Sequence, residues 1–264
     1  MEAPMNQADQ RYLLDLMRER TGLVLNSHQA EELAHLVRLS MAENGVERLR
    51  DFLIVYPFTH PMWQAFIQKM TIGETYFFRN RAHFAALRHD VLPALIESKR
   101  SKGFKQIRLW SAGCATGEEP YSLAILLREL LPDFNEWTIS LLATDINSTF
   151  LEYAQQGVYY KPEGNGFRIE PRIRDMVFFR SLNLVSDHYP SPTNYTTALD
   201  LIVCRNVTIY FTAETTRAIA TRAHLDAVVS APSVRGVATD ELVACWAHAR
   251  PELTFLTVPR DAAA

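Results

Sequence analysis

The stretch Arg108-Leu109-Trp110-Ser111-Ala112-Gly113-Cys114-Ala115-Thr116-Gly117-Glu118-Glu119-Pro120-Tyr121-Ser122-Leu123 constrains this chain more than any other. Ile107, Leu109 and Trp110 form a short apolar run that reads as a strand. Gly113 and Gly117 permit backbone conformations or close approaches that a side chain would block, and helical spacing resumes from Tyr121 to Leu131. A strand feeding a helix through such a turn either cradles a nucleotide-like cofactor or is an ordinary buried strand and helix; the segments that follow decide.

Thr138-Ile139-Ser140-Leu141-Leu142-Ala143-Thr144-Asp145 reads as a second strand ending on an acid. A carboxylate there commonly bonds ribose hydroxyls, and it also suits a cap on the helix expected from Ser148 to Gly157. A further strand is expected from Val177 to Leu184. The run from Leu199 to Val207 follows it, apolar enough from Leu201 to Cys204 for a central parallel strand covered on both faces. Glu118, Asp145, Asn183 and the pair Arg205-Asn206 would then meet at the carboxyl rim of one sheet, where open α/β sheets bind ligands.

Upstream, residues 12–70 carry helical three-four spacing, with Asn26 and Ser27 as caps for a second helix and Gly45 as its stop. The expected organisation is an all-α N-terminal domain over 1–70 and an α/β domain over 71–264, with 158–180 as a short inserted subdomain rich in Pro, Gly and Arg. Between the two lies Thr75-Tyr76-Phe77-Phe78-Arg79, whose arginine must reach solvent, a carboxylate or a phosphate.

A net charge of -3 gives no reason to expect nucleic-acid binding. Three widely spaced cysteines without a CxxC suit a reducing compartment and no metal. No apolar run approaches the roughly 18 residues that span a bilayer, and the first ten residues lack a signal pattern, so a cytoplasmic protein without membrane insertion is expected. The missing GxGxxG weakens a nucleotide-dependent oxidoreductase, and the missing GxxxxGK[ST] removes a P-loop. Cys114 and Cys204 read as buried small hydrophobes.

Four ordered motifs carry a resemblance. Thr75-x-Phe77-Phe78-Arg79, Trp110-Ser111-Ala112 with Thr116-Gly117-Glu118-Glu119-Pro120-Tyr121-Ser122, Ala143-Thr144-Asp145-Ile146, and Cys204-Arg205-Asn206-Val207 with Ile209-Tyr210-Phe211 together resemble the CheR family of chemotaxis-receptor glutamate O-methyltransferases, over roughly residues 10–215. The resemblance implies a Rossmann-like class I S-adenosylmethionine-dependent methyltransferase domain behind a small helical one, no metal, and S-adenosylhomocysteine as product. It implies cofactor contacts from Thr75, Arg79, Ala112, Gly113, Glu118 (methionine amino end), Asp145 (ribose), Asn183 and Leu184 (adenine side), and Asn206 and Val207 (beside the sulfonium). Arg79 would also orient the acceptor carboxylate, with Tyr210 as the active-site tyrosine. The implied partner is the cytoplasmic domain of a chemoreceptor.

The chain also departs from that family. Gly73 stands where an asparagine is usual, which leaves a non-catalytic S-adenosylmethionine-binding module as the alternative reading. The helix over 28–44 has only Arg38 as a fixed positive charge beside His28 and His35, where the family's helix is strongly basic. The insert is short, so tethering to a receptor's C-terminal pentapeptide is not expected. Beyond Arg222 the usual proline-glycine turn and final hairpin are not recognisable, and 253–258 is the candidate closing strand.

Overall fold

The computed structural model describes residues 5–160, 166–223 and 244–246. Four helices come first: α1 (Gln7–Thr21), α2 (Ser27–Glu43), α3 (Leu49–Val55) and α4 (Met62–Met70). Asn26 caps α2 through a reciprocal capping box with Gln29, which satisfies two otherwise orphaned N–H groups. Leu13, Met17, Leu33, Val37, Phe52, Trp63 and Ile67 sit at helical spacing and close into a core of their own. The Trp63 indole is fully buried and donates to the Tyr56 carbonyl at 3.0 Å.

From Arg81 to Ser101 the chain is helical without a break: α5 (Arg81–Ala86), a π turn (Leu87–Val91) and α6 (Leu92–Ser101). Pro93 sits in the first turn of α6 and has no N–H to donate backwards, which accounts for the widened turn before it.

A twisted sheet follows, built from β1 (Gln106–Ala112), β2 (Thr138–Asp145), β5 (Val177–Ser181), β6 (Leu201–Cys204) and β7 (Ala244–Trp246). Its order is β5-β2-β1-β6-β7, and only β7 runs antiparallel. Helices α7 (Glu118–Leu130), α8 (Ser148–Gln156) and α10 (Ala213–Arg222) accompany the strands. Period-two alternation assigns the strand residues to two layers. Ile107, Leu109, Leu141, Ala143, Leu201 and Val203 pack on one face, and Trp110, Ala112, Leu142, Ile202 and Cys204 on the other. Buried Trp110 donates to Thr144 Oγ1 across the β1–β2 ladder at 2.9 Å. This is the α/β doubly wound arrangement expected from the sequence, with β1 central and β2 and β6 on its two sides, so the strand order reverses at β1.

Both later strands are shorter than expected, since β5 ends at Ser181 and β6 at Cys204. The insert forms a two-stranded hairpin, β3 (Val158–Tyr160) with β4 (Gly166–Arg168), then a short helix α9 (Pro171–Arg174). The candidate closing strand at 253–258 lies outside the described residues.

Candidate functional site

Beyond the carboxyl ends of β1, β2 and β6 opens a cleft lined by the sheet rim on one side and by N-terminal residues on the other, the place where open α/β sheets bind ligands. Its floor is the turn after β1. The N–H groups of Gly113 and Cys114 both donate to the Thr144 carbonyl, at 2.8 and 2.9 Å, which folds the turn against β2. Gly113 has φ +78°, and a Cβ there would lie 2.3 Å from Val207 Cγ2, so the turn and the segment after β6 touch at a point that only glycine allows. Gly117, at φ +96°, ends the turn and starts α7.

Of the six non-glycine residues with positive φ among those described, four flank this cleft: Phe78, Asn80, Ala115 and Asn206. Each such conformation costs about 1 kcal/mol or more and persists only where its surroundings over-determine it. Here those surroundings are visible. Ala115 N–H donates to Asp145 Oδ2 at 2.9 Å, Phe78 N–H to Ser122 Oγ at 2.9 Å, and Asn80 Oδ1 caps α5.

The cleft has an acidic side made by Asp145 and Glu119. Asp145 accepts from Ala115 N–H and, through Oδ1, from Asn147 N–H at 2.9 Å, so it holds the floor turn while facing the cleft. Burial raises its pKa, opposed by those backbone N–H groups. Glu119 is anchored at both oxygens, by Ser111 Oγ at 2.8 Å and Arg205 Nη1 at 3.2 Å. Burial raises its pKa as well, with the Arg205 charge as the chief opposing influence. Both groups sit at or beyond the amino end of α7, where the helix dipole favours an anion.

Arg79, Tyr76, Glu74 and Thr75 make the facing side with Tyr210. The Arg79 side chain is about 25% exposed, donates to the Glu74 carbonyl, lies 3.7 Å from the Glu74 carboxylate and sits over the Tyr76 ring. Burial raises the Tyr210 pKa, and the nearby Arg79 charge is the first influence opposing it. The roof comes from the end of α1, the link to α2 and the start of α2: Thr21, Leu23, Val24 and Leu25 line the cleft together with Gln29. Two hydrogen bonds tie this roof down, Val24 N–H to the Tyr210 carbonyl at 2.9 Å and Asn183 Nδ2 to the Arg20 carbonyl at 2.6 Å.

The expected site residues Thr75, Arg79, Gly113, Asp145, Asn183, Leu184, Asn206, Val207 and Tyr210 are thus brought to one cleft. Two are not. Ala112 is buried in the core on the Trp110 face, and Glu118 turns its carboxylate to Thr116 Oγ1 at 2.7 Å, leaving the cleft to its neighbour Glu119. Successive residues of a helix are rotated by about 100°, so only one of two adjacent glutamates can face a given wall. Asn183 does reach the cleft, but its amide is taken up by Arg20 and by the Val185 N–H at 3.0 Å. The N-cap of α8 is Asn147 and not Asp145, because the helix begins one residue after Asn147.

Sequence reasoning also missed Phe150 and the roof. A Cβ on Gly73 would lie 2.5 Å from Phe150 Cζ, so the ring occupies the space that a side chain at residue 73 would need. Gly73→Asn is therefore expected to weaken S-adenosylhomocysteine binding by about tenfold, and Phe150→Ala in the same chain to restore most of that loss. Calorimetric titration of the two single variants and the double variant checks this. Additive losses would show that the ring and the glycine do not share the space.

His83, buried on α5 beneath the cleft, accepts from Arg205 Nε at Nδ1, 3.2 Å away, so the neutral ring carries its proton on Nε2. Burial, and after it the Arg205 charge, lowers its pKa from 6.5 to about 4. Because the unfolded chain takes up this proton first, the contribution of neutral His83 is complete above pH 6.5 and is lost as the pH falls toward 4. Its size is up to about 3 kcal/mol. Urea midpoints between pH 4 and 7 should fall more steeply for the parent chain than for His83→Asn, which keeps an acceptor for Arg205. Equal slopes would rule out His83 as the titrating group.

Among the described residues no group of three or more His, Cys, Asp or Glu side chains is placed to hold a metal ion, and no helix is long and apolar enough to cross a membrane.

The family model described as "CheR methyltransferase, SAM binding domain" matches residues 73–163 and 159–228, which include the floor turn, the acidic side and the Arg79 segment. The "Chemotaxis protein methyltransferase" of Listeria monocytogenes is 38% identical, over 56% of this chain and 58% of its own length. "Chemotaxis protein methyltransferase 1" of Pseudomonas aeruginosa is 30% identical over 77% of this chain and 79% of its own. The Escherichia coli "Chemotaxis protein methyltransferase" is 30% identical over 83% and 79%. The chain spans about three fifths of the length of the Borreliella burgdorferi and Listeria relatives. With the family's model matched across the cleft-forming half of the sequence and relatives aligned over most of it, this chain belongs to the CheR methyltransferase family.

Proposed function

We propose that this chain transfers a methyl group from S-adenosylmethionine to glutamate side chains in the cytoplasmic domain of a chemoreceptor, forming glutamate methyl esters and S-adenosylhomocysteine, and that it works in the cytoplasm. One observation carries the reading: an acidic side, Glu119 and Asp145, faces a cationic and phenolic side, Arg79 and Tyr210, across a single cleft at the sheet's carboxyl rim.

The cleft suits that cofactor. A cationic sulfonium nucleoside with an amino group calls for carboxylates, and two half-buried ones are present, while Gly113 lets Val207 pack directly on the floor turn. Asp145 would hold ribose hydroxyls through lone pairs left over from its two backbone bonds, Glu119 the amino end, and Leu184 with the roof residues Leu23 and Leu25 the base. Bound there, the cofactor supplies an electrophilic methyl group.

The residues then have a limited task. A glutamate acceptor is already ionised at neutral pH, so no general base is needed and positioning dominates. Arg79 leaves Glu74, which is exposed and easily released to water, and holds one acceptor oxygen so that the other points into the cleft. Tyr210, a phenol that is protonated at neutral pH, donates a hydrogen bond beside the transferring centre. The roof and the Phe150 ring exclude water. Esterification removes one negative charge from the receptor.

Transfer of labelled methyl from S-adenosylmethionine to receptor-bearing membranes, with base-labile label as the readout, tests the proposal. Binding of S-adenosylhomocysteine without transfer would leave only a cofactor-binding module. Binding of NAD in its place would return the oxidoreductase alternative, which no motif in the cleft supports.

A further inference from the structure

Arg205 is among the most deeply buried charges of the described chain, with its side chain 1% exposed. It lines the cleft just past the end of β6, and its guanidinium spends donors in three directions. Nε donates to His83 Nδ1 at 3.2 Å, Nη1 to Glu119 Oε2 at 3.2 Å, and Nη2 to the backbone carbonyl of Arg79. Its flat face rests on the Phe84 ring, 5.1 Å from the centroid.

Each partner has a consequence at the cleft. Glu119 belongs to the acidic side, and with Ser111 on one oxygen and Arg205 on the other its carboxylate has one orientation. The Arg79 carbonyl lies between Phe78 at φ 54° and Asn80 at φ 64°, two conformations that need an outside tie to persist. Besides the Phe78–Ser122 bond and the Asn80 cap, Arg205 ties the carbonyl between them, and so helps fix where the Arg79 side chain starts. A buried ion pair is a poor source of net stability, since apolar replacements are often neutral or better. A planar fork serving three fixed acceptors is, by contrast, something a lysine or an apolar side chain cannot reproduce.

The geometry points to Arg205 as a positioning residue that holds the Glu119 carboxylate and the Arg79 turn in register, so that one side chain aligns the cofactor side of the cleft with the acceptor side. This rests on the methyltransferase reading above, which assigns those two sides.

Two double-mutant cycles on the full chain test it. In the first, calorimetric titration with S-adenosylhomocysteine compares Glu119→Gln, Arg205→Lys and the double variant. Each single variant should bind at least about tenfold more weakly, and the double should be within about threefold of the weaker single. Losses that multiply to about a hundredfold would overturn the assignment, as would unchanged affinity in Arg205→Lys. In the second, methyl transfer at saturating cofactor compares Arg205→Lys in the parent and in Arg79→Ala. It should lower kcat about tenfold in the parent and less than threefold when the Arg79 side chain is gone. Equal losses in both backgrounds would mean that Arg205 only supports the fold. If Arg205→Lys does not fold, Arg205→Gln keeps two planar donors and carries the same cycles. Failure of the parent chain to bind S-adenosylhomocysteine, or to transfer methyl, sinks the methyltransferase reading instead, whereas failure confined to a cycle sinks the role of Arg205.

Discussion

Arg79→Ala should lower methyl transfer to receptor-bearing membranes by about two to three orders of magnitude in kcat, while S-adenosylhomocysteine affinity changes by less than about tenfold. The reason lies in what the residue touches. Its guanidinium is only a quarter exposed and sits on Glu74 at the mouth of the cleft, so it is the cation best placed to receive an incoming carboxylate. Removing it leaves the acidic side and the floor turn untouched, which separates the loss of acceptor placement from the loss of cofactor. Arg79→Lys should fall between, because it keeps the charge and loses the fork. Initial rates and calorimetry on the same preparations decide the matter, and a near-normal kcat for Arg79→Ala would remove the role assigned to it.

The second large effect is expected at Gly113. Gly113→Ala must place a Cβ in the left-handed region at φ +78° and 2.3 Å from Val207 Cγ2. Backbone strain and overpacking together should cost about 2–4 kcal/mol of stability and displace the floor turn, with loss of measurable S-adenosylhomocysteine binding at micromolar concentrations. Val207→Ala added to Gly113→Ala removes the collision but not the strain, so it should recover part of the stability and little of the binding. Urea denaturation and calorimetry report the two quantities separately. A stable Gly113→Ala chain that binds normally would show that the cleft does not need this approach.

Much of the fold was legible because its signals are local. The apolar run and terminal acid of Thr138–Asp145 specify β2 with its bounds, and Asn26 and Ser27 mark the start of α2, with Asn26 as the observed cap. Motif order brought nine of the eleven expected site residues to the cleft. What was not legible depends on rotation or on distant contacts. Glu118 and Glu119 are equivalent as sequence, and only the packing of Ser111 and Arg205 decides which one faces the cleft. β6 stops at Cys204, and Asn206 beyond it takes positive φ next to the close approach of Val207 and Gly113, a contact between distant segments. Leu23-Val24-Leu25 reads as a plain apolar linker, and its place in the roof comes from partners more than 150 residues downstream, Asn183 and Tyr210.

That roof has a thermodynamic consequence. A ligand lying beneath Leu23 and Val24 touches the link between α1 and α2 as well as the sheet, so its binding energy is shared by the helical layer and the sheet layer. Saturating ligand should then raise the melting temperature of both layers as one transition. The bonds from Val24 to Tyr210 and from Asn183 to Arg20 hold that link over the cleft. Ligand exchange on this architecture would be paced by the unclasping of the five-residue link between α1 and α2, and any partner that grips α1 or α2 would thereby set how long a bound ligand stays.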